Sequence, residues 1–133
     1  MGLDNGIIVK KTELTKKLFK VKKNCLYEYT GDFEIAYWRK CWNVRADIFT
    51  VTRGWNNDQS YTSLDRDDIY HIIKLLKSYN KKTWNAENFF MLFSIWTWED
   101  HKKANKRHIK YLKSLYKIMK KYPEIEVYFY DSY

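Results

Sequence analysis

The sequence holds one proline (Pro123) and four glycines in 133 residues, so long disordered linkers are not expected. Its two cysteines, Cys25 and Cys41, have neither CxxC spacing nor enough partners for a disulfide scaffold or a zinc site. Both read as reduced, buried thiols. No apolar run approaches the length that spans a bilayer. No apolar leader follows Met1, and Gly6 stands where a myristoylation signal needs Ser or Thr. The expected location is the cytoplasm of the cell that makes the chain, with no membrane partner.

Catalytic signatures are missing too. There is no Gly-rich phosphate loop, no nucleophile elbow and no HExxH pair. Of the three histidines, His101 and His108 are seven residues apart, whereas metal binding from one helix uses a spacing of three or four with further ligands. They read as core or boundary residues. His71 follows Asp67 and Asp68 by four and three residues and reads as a local ion pair on an exposed turn. No metal and no cofactor is expected, and the role is read as non-enzymatic, with a small enzyme of unfamiliar site as the third alternative.

Aromatic residues and lysines are what the chain has in excess. Twelve Tyr, seven Phe and six Trp are enough to build one dense core, and residues 1–133 read as a single domain. The net charge is +9, and twenty of the 25 basic residues are Lys. Nine Asn against four Ala point to an AT-rich coding bias behind part of that excess. The charge is segregated: residues 101–121 carry nine Lys or Arg and no acid, while residues 28–70 carry five basic and eight acidic residues.

Residues 101–121 read as a helix, with Glu99 and Asp100 at its start, Lys120 and Lys121 at its end, and Pro123 as its stop. Ile109, Leu112, Leu115, Tyr116, Ile118 and Met119 share one arc. Lys103, Lys106, Lys110, Lys113, Lys117 and Lys120 form the opposite stripe. A second helix is expected over Phe33 to Val51, with an apolar arc of about 200° that marks it as largely buried. A third runs from about Asp65 to Tyr79, and residues 86–96 read as a short buried helix. Gly6–Lys11 and Glu126–Tyr130 read as strands, residues 18–29 as a further strand or hairpin, and Trp55–Tyr61 as a polar loop. The expected fold is α+β: three or four helices packed on a small β-sheet that includes both chain termini.

Two constellations could bind a ligand. On the second helix Arg45 falls near the middle of the apolar arc, where a cation needs a partner. It pairs with a core-facing carboxylate such as Glu34 or Asp32, or snorkels its stem toward the surface, or meets an anionic ligand in a cavity walled by Tyr37, Trp38 and Trp42. The lysine stripe is either a solvated face or a contact for nucleic-acid backbone. Six aligned lysines without interspersed acids repel one another, and a negative partner offsets that cost.

Three segments resemble a broad group of small proteins encoded by bacteriophages and prophages. They are Met1-Gly2-Leu3-Asp4 leading into a strand, Glu34-Ile35-Ala36-Tyr37-Trp38-Arg39-Lys40 at the start of a helix, and the aromatic end Tyr128-Phe129-Tyr130-Asp131-Ser132-Tyr133. Cys41-Trp42 departs from the small residues that follow in other members. The resemblance implies a phage accessory protein in the cytoplasm of a bacterial host, and it carries no catalytic residue over. The leading expectation is then sequestration of an anionic nucleotide of the host, such as an immune signalling molecule, by Arg45, Tyr37, Trp38, Arg39 and Lys40. The alternative is a nucleic-acid-binding or host-protein-inhibiting module using the lysine stripe. Self-association stays open.

Overall fold

β1 (Asp4–Lys10) lies in the middle of a five-stranded sheet of order β2-β3-β1-β5-β4, with every neighbour antiparallel. The structure is a computed structural model that describes residues 4–52, 61–89 and 94–132. Its other strands are β2 (Tyr27–Glu28), β3 (Asp32–Arg39), β4 (Tyr61–Leu64) and β5 (Val127–Ser132). The helices are α1 (Glu13–Leu18), α2 (Trp42–Val51), α3 (Arg66–Ser78), α4 (Lys81–Phe89) and α5 (Trp98–Lys121). The α+β fold is as expected, with β1 and β5 joining the two ends of the chain, and with five helices among the described residues where three or four were expected.

Local chemistry explains the helix ends. Asp65 caps α3 and exchanges a capping box with Asp68, and Thr97 does the same for α5 with Asp100. α5 stops at Tyr122, ahead of Pro123. The inner face of the sheet carries Ile7, Val9, Phe33, Val127 and Phe129, all buried. Ile48 and Phe49 of α2, Ile69, Ile72 and Leu76 of α3, and Leu112 and Leu115 of α5 complete the same core. Phe49 meets Phe129 edge to face at 5.3 Å. Cys25 and Cys41 are buried free thiols, pushed by burial up to about 11 and about 12.

The helix expected over Phe33 to Val51 is a strand, a turn and a shorter helix. Residues 32–39 form β3, Lys40 turns the chain at φ 50°, and α2 begins only at Trp42. Phe33, Glu34, Ile35, Ala36 and Trp38 are all buried, so no polar side marks a strand. The register shift that pairs Ile8 with Glu34 but Ile7 with Ala36 breaks the two-residue period as well. An apolar run buried on both faces reads equally as helix or strand, and the wide arc was the sign of that ambiguity.

Other boundaries move for similar reasons. The helix expected over 86–96 is instead α4 at Lys81–Phe89, and Ser94 makes a single bridge to Cys41; residues 90–93 lie outside the described residues. Of residues 18–29 only Tyr27–Glu28 are strand, with an isolated bridge between Val21 and Cys25. Of the expected loop at Trp55–Tyr61, Tyr61 opens β4, while residues 55–60 lie outside the described residues.

Candidate polyanion interface along α5

At 1.5 Å per residue the 24 residues of α5 span about 36 Å, the longest element of the fold. His101, His108, Tyr111, Leu112, Leu115 and Met119 are buried along one side. Lys103, Lys106, Lys110, Lys113, Lys117 and Lys120 are all exposed along the other. Among the described residues no ion pair engages a lysine or arginine of α5.

Two clefts flank the stripe. The first, about 440 Å³, is lined by Lys106, Arg107, Lys110 and Tyr111 of α5 and by Lys22. The second, about 370 Å³, lies between α3 and α5. Arg66, Lys77, Lys113 and Lys117 supply its cations, and Tyr70, Ile73 and Tyr116 the rest of its lining. Among the described residues the clefts together gather eight cations and no carboxylate. Arg66 is locked in place: its Nε donates to the Tyr116 carbonyl oxygen (3.0 Å), and its guanidinium stacks 3.7 Å from the centre of the Tyr116 ring. Lys77 lies so close to Lys113 that contact with that ammonium, and its charge, pull Lys77 below the usual lysine range. Crowded like charges give this cleft a positive potential. A larger concavity, about 560 Å³, has Asp65, Glu124 and Glu126 beside Arg66 and Lys120, and its mixed charge gives it no such potential.

The two histidines fix α5 on the core. The His101 ring stacks on Trp84 (centroids 4.1 Å apart, 25° between planes), and His108 meets Trp38 edge-on at 5.0 Å. The Tyr37 N–H donates to His108 Nε2 at 3.4 Å, which requires a neutral ring. Burial pulls His101 down to about 4; burial, with the charges of His101 and Arg107 adding to it, pulls His108 down to about 3. Unfolded histidine takes up its proton near pH 6.5 and these two do not, so the stability they contribute is present above pH 6.5 and is lost as pH falls toward 4. Thermal melts at pH 7 and pH 5 should therefore show a smaller acid loss in the His101→Gln/His108→Gln double variant than in the parent chain. An equal loss in both would show that these rings do not govern the acid response.

The five residues expected to share one pocket sit in different surroundings. Tyr37 and Arg39 lie on the outer face of the sheet, where the Tyr37 hydroxyl donates to Asp4 Oδ1 (2.6 Å) and Arg39 Nη1 lies 3.3 Å from the same oxygen. Trp38 points inward and is fully buried, and Lys40 occupies the left-handed turn. Arg45 reaches neither Glu34 nor Asp32 in an ion pair. Its Nε and Nη2 each lie 3.1 Å from Asp131 Oδ2, and its guanidinium lies 4.8 Å from the Phe49 ring centre. Alternation along a strand separates Tyr37 and Arg39 from Trp38.

The sequence did contain a pointer to the Arg45 partner. Val127 and Phe129 face inward, and the two-residue period places Asp131 with them. The contributions of Lys22, Arg66, Lys77 and Tyr70 to the clefts have no such pointer, because they come from elements that meet α5 only in the folded chain. No family model matches the chain, and no curated protein or solved structure matches it significantly.

Proposed function

We propose that the chain is a nucleic-acid-binding protein that holds the phosphate backbone of a single strand along α5 without reading its sequence. The observation that carries this is the pair of clefts on either side of the exposed lysine stripe, whose described lining residues supply eight cations and no carboxylate. From Lys103 to Lys120 the stripe runs about 25 Å, with a cation roughly every 5 Å. Lysine meets phosphate as a mobile point charge, which suits contact with backbone rather than bases. Tyr70, 42% exposed and 6.0 Å from Tyr116, offers a ring on which a base can stack.

A second reading has its own support. The cleft between α3 and α5 combines two tyrosines with four cations in about 370 Å³, a size that accepts one free nucleotide. In the setting that the resemblance implies, a bacterial cytoplasm during phage infection, either ligand would belong to the host or to the replicating phage. No helix among the described residues is long and apolar enough to cross a membrane.

Thermal unfolding against single strands, a duplex and a panel of linear and cyclic nucleotides, at low and high salt, tests the proposal. Ligand at about 100 times its dissociation constant adds roughly 2.7 kcal/mol, a clear rise in midpoint. The expected result is a rise with the single strand that fades at high salt. A rise with one small nucleotide that survives high salt supports the second reading, and no rise with any strand, duplex or nucleotide overturns both.

A further inference from the structure

The outer face of the sheet differs from the rest of this basic chain. Asp4, Tyr27, Tyr29, Tyr37, Tyr130 and Ser132 line a concavity of about 470 Å³ there, and no cation lines it among the described residues. Tyr27 and Tyr29 are 51% and 57% exposed, with ring centres 6.1 Å apart and planes tilted by 40°. Tyr37 and Tyr130 have already committed their protons. The Tyr37 hydroxyl donates to Asp4, and the Tyr130 hydroxyl donates to Glu34 Oε1 at 2.8 Å. What they leave facing a ligand is ring faces and oxygen lone pairs. Arg39 is held at Asp4, 3.3 Å away.

We propose that this tyrosine-walled concavity is a binding site for an alkylated ammonium group, held by cation–π contacts with the four rings. A phosphate-bearing ligand would meet acceptors and a carboxylate with no donor among the lining side chains except Ser132 and the two free phenols. A hard metal ion would need several oxygens around it, and the ring faces give it none. An alkylammonium is weakly hydrated and positive over its whole surface, which matches ring faces on several sides.

Glu34 adds a pH response. Its carboxyl is buried below the rings, opposite Tyr27 in the strand register and in hydrogen-bond contact with Tyr130. Burial raises it to about 8, with Asp32 and Asp4 adding to the rise and Tyr130 opposing it. Tyr29 feels its charge in turn. A bound cation favours the ionised form, so affinity rises between pH 6 and pH 9 and a proton is released on binding. Glu34→Gln removes that dependence.

Calorimetric titration with choline, and with its uncharged carbon isostere 3,3-dimethylbutan-1-ol, tests the proposal on the intact chain. Choline should saturate the site at millimolar concentration and bind about tenfold more tightly than the alcohol. Tyr29→Ala, which removes an exposed ring, should weaken choline about tenfold. Tyr61→Ala, on the same face but outside the concavity, should leave choline binding unchanged. A trimethyllysine peptide that binds more tightly than choline would assign the ammonium to a protein side chain, and equal binding would assign it to a free amine. The proposal is overturned if choline fails to saturate, if the alcohol binds equally well, or if Tyr29→Ala binds choline as the parent chain does.

Discussion

Replacing Lys106, Lys110, Lys113 and Lys117 together by Gln should weaken single-strand binding at least about 100-fold while making the fold more stable. The loss follows from removing four phosphate contacts, each of which releases counterions and steepens the salt dependence on a single strand by about 0.7. The gain follows from the same residues. Lys106–Lys110, Lys110–Lys113 and Lys113–Lys117 are neighbouring like charges on one helix face, each pair costing a few tenths of a kcal/mol. Lys113 also crowds Lys77. Relief of the three repulsions along α5 should raise stability by a few tenths of a kcal/mol per pair at low salt. Fluorescence anisotropy with a labelled oligonucleotide reads the first effect and a thermal melt reads the second. Opposite signs separate a binding face from a damaged fold, which would lose both. Unchanged affinity would show that the stripe is a solvated surface.

Gly6→Ala should cost about 3 kcal/mol or more. Gly6 sits on central strand β1, opposite Tyr37 on one side and Tyr130 on the other. A Cβ there would lie 2.5 Å from the Ala36 carbonyl oxygen, 2.9 Å from a Tyr130 ring carbon and 3.0 Å from Glu34 Oε1. The first of these is backbone in a paired strand and cannot rotate away. The other two are the hydroxyl-linked Tyr130 and Glu34, whose bond would have to break. Gly31 is the internal control, because a Cβ there meets nothing within 4 Å. Gly31→Ala should change stability by about 0.5 kcal/mol or less. Chemical denaturation of the two variants checks both values, and a Gly6→Ala loss as small as that of Gly31→Ala would contradict the close approach of β1 and β3.

Legibility in the sequence followed the local signals. Asp65 with Asp68, the spacing of Ile69, Ile72, Ile73 and Leu76, the acids Glu99 and Asp100, and Pro123 after the last lysine placed α3 and α5 to within a few residues. The lysine stripe came with α5, since one period fixes both faces of a helix. β3 was not legible, because Glu34 is buried on the outer face, where a strand normally shows exposed polar residues, and Ile35 at the bulge breaks the alternation, so that Ala36 returns to the inner face opposite Ile7. Misreading β3 as helix placed Tyr37, Trp38 and Arg45 on one surface, whereas strand geometry sends Tyr37 and Trp38 to opposite faces. The clefts needed tertiary structure: only packing of α3 against α5 brings Lys77 beside Lys113. The tyrosine concavity needed it too, since its rings come from β2, β3 and β5 and from Tyr29 between two strands.

The measurement that bears most directly on the role of α5 is the salt dependence of single-strand affinity for the unaltered chain. Each phosphate neutralised on a single strand contributes about 0.7 to the slope of log affinity against log salt. Six stripe lysines in contact should thus give a slope of about −4. A steep slope of that order, shared by oligonucleotides of unrelated sequence, is the expected result. A slope near zero, or no binding even at low salt, would contradict a polyanion interface along α5.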